Sequence, residues 1–190
     1  MFSDMRTKIC DVQKSGFYQK RISPIQSVNP EYWNPDYVLV TNLKAFFVNA
    51  VIKQNLPTND MVAWIDFGYC RNEAALPNSK SWKYNFNQNK FHLFNYKPYD
   101  GKPIEDVIAE NDVYILGAQA IGHKKLWSTM DDLMTNSFRD LLSKDLVDDD
   151  QGLWLNSYLC QPEMFELHLI PDHQKGHDPF VLFHWFNTAC

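Results

Sequence analysis

An aspartate at the end of a short apolar segment is the first residue whose position is suited to catalysis. The segment MVAWI covers residues 61 to 65, lies between turn-forming residues, and is followed directly by Asp66. A short apolar run of this kind predicts a buried strand covered on both faces, and α/β proteins bind ligands at the carboxyl ends of strands. A carboxylate there can hold a hard divalent cation that bridges diphosphate oxygens. The alternative is an aspartate that caps a turn before Gly68.

A second candidate is the run of three carboxylates, Asp148, Asp149 and Asp150, which is followed by Gln151 where a helix is predicted to begin. A carboxylate can act as a general base that deprotonates a hydroxyl group, or as a nucleophile. Asp150 and Gln151 have suitable chemistry for these roles. Acids in this position also stabilise the helix dipole, so a solvated helix cap is the structural alternative.

The histidines near the C-terminus are the third candidate set. His184 interrupts the apolar segment FVLFHWFN, and imidazole is a common metal ligand, although a lone histidine in a strand is often a core residue. His168, His173 and His177 fall in a polar stretch without a compact ligand spacing. We expect these three to be solvated surface residues.

The elements that must position these residues alternate between helix and strand. Asn34, Pro35 and Asp36 form a helix start, and the apolar stripe that follows predicts one helix to about residue 54. Alternating aromatic residues between Trp82 and Tyr96 predict a β-hairpin. The remaining predictions are a short helix after residue 103, a strand over 113–118, a helix over 126–142, a helix from about residue 150 and a strand over 181–183.

This order predicts an α/β fold in which a central mixed sheet is flanked by helices. The 190 residues suffice for one domain with a sizeable core. We assign that domain to residues 31–190. Residues 1–30 lack clear periodicity, and we expect them to be a peripheral or incomplete segment.

Composition excludes several classes of protein. The chain lacks the glycine-rich and histidine motifs of P-loop, dinucleotide-binding, serine-hydrolase and zincin enzymes. A net charge of −5 without a run of Lys or Arg argues against a nucleic-acid partner. No apolar stretch is long enough to cross a bilayer, which leaves peripheral membrane contact open. The four scattered cysteines and the absence of a secretory signal favour reduced thiols and a cytoplasmic location.

Five segments in this order resemble the HtrL/YibB family and, more broadly, glycosyltransferases of the GT-A type. They are WNPDYVLVTNLKAFF, WIDFGYC, YILGAQAIGHKKLW, DDDQGLWLNSYLCQPEMFELH and FHWFN. The resemblance spans most of residues 30 to 187. It implies a nucleotide-diphospho-sugar transferase fold that, in this chain, lacks the first nucleotide-binding unit.

The resemblance also implies roles for particular residues. Asp66 and His184 would hold a metal ion, Mn²⁺ or Mg²⁺. Asp150 and Gln151 would be catalytic. The donor sugar would be bound by Gly117, Ala118, Gln119 and Trp154. Gly68 stands where the family pattern of the transferases has a second metal-binding aspartate.

The expected function is therefore transfer of sugar from a nucleotide-sugar donor to a glycan acceptor in cell-surface polysaccharide synthesis of the lipopolysaccharide type. Whether the anomeric configuration is retained or inverted stays open. The main alternative is a non-catalytic carbohydrate- or nucleotide-binding module that keeps a degenerate transferase fold. A third is a metal-dependent hydrolase built from Asp66, Asp150 and histidines, which a close metal cluster would favour.

Overall fold

The computed structural model describes residues 2–67 and 84–170. Its helices and strands are numbered in chain order; four α-helices precede the first strand, and strands and helices are mixed after it. The helices are α1 Phe2–Gln13, α2 Gly16–Arg21, α3 Pro35–Asn42, α4 Lys44–Lys53, α5 Ile104–Glu110, α6 Trp127–Ser143 and α7 Asp150–Cys160. The strands are β1 Met61–Ile65, β2 Phe91–Asn95, β3 Ile115–His123 and β4 Phe165–Leu169.

The four strands form one mixed sheet in the order β1-β3-β2-β4. Strand β3 is antiparallel to both of its neighbours, whereas β2 and β4 are parallel to each other. The predicted α/β class, with a central mixed sheet flanked by helices, is confirmed. Strand β4 was not predicted, since the segment FELHL had been assigned no strand.

The predicted helix after Asn34 is divided into two. The Asn34 side chain accepts hydrogen bonds from the backbone N–H groups of Asp36 and Tyr37, as an N-cap residue does. Helix α3 then ends at Asn42, and the backbone of Leu43 (φ −92°, ψ 7°) leaves helical geometry before α4 begins. The break changes the direction of the chain, and Lys44, the first residue of α4, is buried.

Two strand predictions need correction. Strand β1 is half-buried rather than fully covered, because it lies at the edge of the described sheet. The predicted hairpin does not form within residues 84–96, where β2 alone is a strand and pairs with β3 and β4. The aromatic residues Tyr84 and Phe86 instead pack against the small apolar cluster around Phe94. The predicted strand over 181–183 lies outside the described residues.

The main core lies between the sheet and the helices, and it includes the described part of the N-terminal segment. Ile9, Val12 and Tyr18 are buried in the same cluster as Trp127 and Trp154. The expectation that residues 1–30 are peripheral is therefore wrong for α1 and the residue Tyr18 of α2. The helices α1 and α2 are short and have few buried apolar side chains among many polar ones. The hydrophobic periodicity of this segment is therefore weak in the sequence.

None of the described helices combines the length and the apolar character needed to span a membrane. The longest, α6, has 17 residues and places its buried side chains along one face, as expected for an amphipathic helix. Cys10 and Cys160 are free thiols.

Replacing Ile9 by Ala tests whether α1 is part of the core. Ile9 is fully buried, whereas Ile25 is 82% exposed. We expect Ile9→Ala to lower the free energy of unfolding by about 2–5 kcal/mol because it leaves a cavity, and Ile25→Ala to change it little. Urea denaturation of the two variants measures the difference. Equal stabilities would show that α1 does not pack as described.

Candidate functional site

A buried lysine joins the two carboxylates that the sequence singled out. The Lys44 ammonium lies 2.8 Å from Asp66 Oδ1 and 3.0 Å from Asp150 Oδ2. It also donates a hydrogen bond of 2.9 Å to the carbonyl oxygen of Gly117. Three acceptors match the three N–H donors of an ammonium group. The lysine thus connects α4, β1, β3 and α7 at a single point.

The two aspartates reach this point from different elements. Asp66 follows β1 directly, and its backbone N–H donates to the carbonyl of Ala118 on β3. Asp150 is the first residue of α7, where Asp149 is the N-cap and accepts from the N–H of Gln151. Each carboxylate has a second donor, since the indole N–H of Trp64 bonds Asp66 and that of Trp154 bonds Asp150.

One positive and two negative charges meet in this cluster, in a region with little solvent. The side chains of Lys44 and Asp150 are 5% and 4% exposed, and that of Asp66 is 34% exposed. Burial alone would lower the pKa of Lys44, but the charges of Asp150 and Asp66 outweigh burial and raise it, so the lysine stays protonated. Burial raises the pKa of Asp150, while Lys44 and Trp154 act against that rise.

Gly117 is required by the close approach of Asp150 to strand β3. A Cβ atom at position 117 would lie 2.0 Å from Asp150 Oδ2, far inside contact distance. Glycine is the residue that allows a backbone to approach another group so closely. The small residue in the YILGAQ segment therefore makes room for a carboxylate of the protein itself.

The cluster opens into a cavity of about 640 Å³, a size suited to a small-molecule ligand. The strand ends, α3 and the start of α7 surround it. Its lining residues are Asn34, Asp36, Tyr37, Val40, Thr41, Lys44, Trp64, Asp66, Leu116, Gly117, Ala118, Asp149, Asp150 and Gln151.

The lining of this cavity is acidic. Four aspartates face it, namely Asp36, Asp66, Asp149 and Asp150. Asp36 forms a salt bridge with Arg6, and the Lys44 ammonium offsets part of the negative charge of Asp66 and Asp150. Burial, and next the charge of Asp150, raise the pKa of Asp149 to about 8. Carboxyl oxygens and N–H donors around such a space can bind hydroxyl groups or a hard cation.

The structure brings most of the predicted site residues to this cavity, but not all of them. Asp66, Asp150, Gln151, Gly117 and Ala118 line it. Trp154 is fully buried behind it and orients Asp150. Gln119 is also fully buried, does not line the cavity, and has no hydrogen-bond partner for its side-chain amide among the described residues. His184 and Gly68 lie outside the described residues.

Lys44 is the functional residue that sequence reasoning missed. Its place in the apolar stretch LKAFF gave a weak signal, a cation among the apolar residues of a core helix. The expectation for His168 was wrong, because this residue is on β4 and is 6% exposed. The unrecognised strand explains the error. His173 and His177 lie outside the described residues.

The described residues are compatible with the divalent cation that the family resemblance implies. Mg²⁺ is commonly held by one or two carboxylates together with substrate phosphates. Asp66 is a partly exposed carboxylate of the cavity, and among the described residues Lys44 and Trp64 both bind its Oδ1. The oxygen donors of the site thus fit a hard cation, with Asp66 as the residue best placed to hold it.

Comparison with known proteins identifies relatives of this chain. The family described as "Bacterial protein of unknown function (HtrL_YibB)" matches residues 2–187. Protein HtrL of Escherichia coli (strain K12) is 38% identical over 173 residues, which cover 89% of this chain. The matched part is 61% of the length of that relative. No solved structure is significantly similar.

Removing the central ammonium should destabilise the protein strongly. Lys44→Met leaves Asp150 buried without its counter-charge, and we expect the free energy of unfolding to fall by about 3–5 kcal/mol. Urea denaturation at pH 7 measures this change. The loss should shrink at acidic pH, because protonation neutralises the unpaired carboxylates.

Lys124→Met is the matched control for this prediction. Lys124 pairs with Asp60 at the surface, where both side chains are well exposed, so its loss should matter far less. A Lys44→Met variant as stable as the control at every pH would contradict the central role of the lysine.

Proposed function

We propose that this chain, which belongs to the HtrL/YibB family of bacterial proteins, is a glycosyltransferase domain that uses a nucleotide-sugar donor. The observation that carries the proposal is the meeting of Asp66 and Asp150 at one cavity. These residues lie far apart in the sequence, and a shared contact with Lys44 joins them. Sugar transfer requires carboxylates that converge on one ligand-sized space.

The position of the cavity supports a donor site. Asp66 lies at the carboxyl end of β1, next to the backbone of β3, and ligands of α/β proteins bind at such strand ends. Polar groups of α3 and α7 face the same space. We also propose that the fold is of the GT-A type.

The acidic lining limits the ligands that the cavity can bind. A free diphosphate would be repelled by the charges of Asp66 and Asp150, whereas sugar hydroxyls can donate hydrogen bonds to these carboxylates. A bound Mn²⁺ or Mg²⁺ would neutralise the diphosphate and stabilise charge on the leaving group. Asp66 is the residue that would hold this ion, and His184 is a further candidate from the sequence.

The residues of the chain have distinct roles in this proposal. Asp150 and Gln151, at the N-terminus of α7, stand at the reaction centre, and Gly117 and Ala118 border the donor sugar. Lys44 and Trp154 are positioning residues because they fix the Asp150 carboxylate. A fixed carboxylate needs no reorganisation during the reaction.

The biological setting is a wider part of the same proposal. A glycan acceptor, cell-surface polysaccharide synthesis of the lipopolysaccharide type and a cytoplasmic location all fit a nucleotide-sugar donor. The chain spans 61% of the length of the HtrL relative. The activity of the whole protein is therefore part of the proposal.

One observation favours the alternative of a non-catalytic binding module. Lys44 already contacts both carboxylates, and an ammonium between two acids can substitute for a metal ion as the balancing charge. Such a module would bind a sugar or nucleotide without a divalent cation and would not turn it over.

Asp66→Asn should separate the two proposals. In the transferase, we expect Mn²⁺ and a sugar nucleotide together to raise the thermal midpoint of the wild-type protein, and the substitution to abolish this shift. Nucleoside diphosphate release should fall by at least about a hundredfold, which corresponds to ~3 kcal/mol of transition-state stabilisation. A panel of sugar nucleotides, with and without Mn²⁺, provides the measurement.

Asp60→Asn is the control, since Asp60 precedes the same strand and pairs with Lys124 at the surface. It should behave as the wild type in both assays. If the wild-type protein binds a donor without metal, does not release diphosphate, and is unaffected by Asp66→Asn, the binding module is the better explanation. If no sugar nucleotide binds or turns over with Mn²⁺, the transferase proposal fails.

A further inference from the structure

Two histidines and a glutamate converge on the opposite face of the sheet from the acidic cavity. His92 lies on β2, and Glu166 and His168 lie on the parallel neighbour β4. One ligand atom from each of the three lies within 4.8 Å of those of the other two. The strand register explains the convergence, since His92 pairs with Glu166 and His168 lies two residues further along the same face.

The two imidazoles meet edge to edge through ring nitrogens. His92 Nδ1 lies 2.9 Å from His168 Nε2, and Glu166 Oε2 lies 3.9 Å from the same His92 nitrogen. Two nitrogens bound to one Zn²⁺ ion at ~2.0–2.1 Å are separated by roughly 2.9 to 3.4 Å, depending on the coordination angle. In the absence of an ion the two nitrogens share a hydrogen bond, so the ion would replace this bond and the rings would turn until both lone pairs point to it.

A backbone carbonyl fixes the orientation of His92. Its Nε2 lies 2.9 Å from the carbonyl oxygen of Asn87, which can only accept, so Nε2 carries the proton. The lone pair of His92 is therefore on Nδ1 and points towards His168. Metal-binding histidines commonly donate their second N–H to a carbonyl in this way.

The surroundings limit access but leave one ligand near solvent. His92 is fully buried and His168 is 6% exposed. The ring of Phe86 lies close to both histidines, at centroid distances of 4.8 and 5.7 Å. The Glu166 side chain is 41% exposed, so an ion can enter from its side. An apolar wall around polar ligands strengthens their interaction with an ion.

We propose that His92, Glu166 and His168 form a binding site for a divalent transition-metal ion of the Zn²⁺ type. Two imidazoles and a carboxylate are a ligand set for such ions, whereas Mg²⁺ prefers oxygen ligands. Binding requires the His168 proton to lie on Nδ1, which frees Nε2 for the metal. The ion would connect β2 to β4, so this site is distinct from the acidic cavity in both chemistry and position.

Metal binding to the full chain tests this proposal. We expect equilibrium dialysis to find one tightly bound Zn²⁺ per chain, and Co²⁺ in its place to give visible absorption bands of a nitrogen-ligated site. Zn²⁺ should also raise the thermal midpoint. Glu166→Gln should weaken Zn²⁺ binding by at least about tenfold, because loss of a mere outer partner already costs that much. His168→Gln should abolish the Co²⁺ bands.

Two controls make the result decisive. His123→Gln removes a histidine at the end of β3 that lies outside the cluster, and it should bind Zn²⁺ as the wild type does. Circular dichroism checks that each variant folds. If the variant of the buried His168 does not fold, the Zn²⁺ affinity of Glu166→Gln tests the proposal, because Glu166 is partly exposed and its substitution should not disturb the core. The proposal is overturned if the wild-type protein binds no stoichiometric Zn²⁺ or if Glu166→Gln binds Zn²⁺ as tightly as the wild type. It is also overturned if Zn²⁺ binding is lost in Asp66→Asn and not in the variants of the histidine cluster.

Discussion

The hydrogen-bonded ion cluster at Lys44 is the interaction on which the arrangement of the site depends. A charge taken out of water is costly unless it is paired and hydrogen-bonded, and here one ammonium serves three acceptors on three elements. The Lys44 Nζ atom therefore fixes the positions of all three acceptors, which are the carboxylates of Asp66 and Asp150 and the carbonyl oxygen of Gly117. The edge strand β1, the central strand β3 and the start of α7 cannot shift independently without leaving a buried charge unpaired.

Local backbone features make this cluster feasible. The break at Leu43 starts a new helix whose first residue, Lys44, is directed inward, and the missing Cβ of Gly117 admits the Asp150 carboxylate. Strand β3 runs antiparallel to both β1 and β2, and its residue Ala118, next to Gly117, accepts a hydrogen bond from the backbone of Asp66. A longer α3 or a larger residue at position 117 would separate the charges.

Features with strong local signals could be predicted from the sequence, and those that depend on partners could not. The N-cap at Asn34, the strand before Asp66 and the start of α7 follow from residue type and periodicity. Asp66 and Asp150 were recognised as individual candidates, but no spacing shows that two distant acids share one lysine. Strand β4 was missed because a five-residue parallel strand gains its stability from β2 and has little pattern of its own. The burial of His168 was missed with it.

The sheet separates two kinds of chemistry because successive strand residues face opposite sides. On β2, Phe91 packs with Trp154 behind the acidic cavity, and the next residue, His92, faces the other side towards His168. The carboxylates of Asp66 and Asp150 thus lie on one side of the sheet, and the imidazoles of His92 and His168 lie on the other side together with Glu166. In the two proposals, the hard cation would lie with the carboxylate of Asp66 and the transition metal with the imidazoles of His92 and His168, so the sheet would keep the two ions apart.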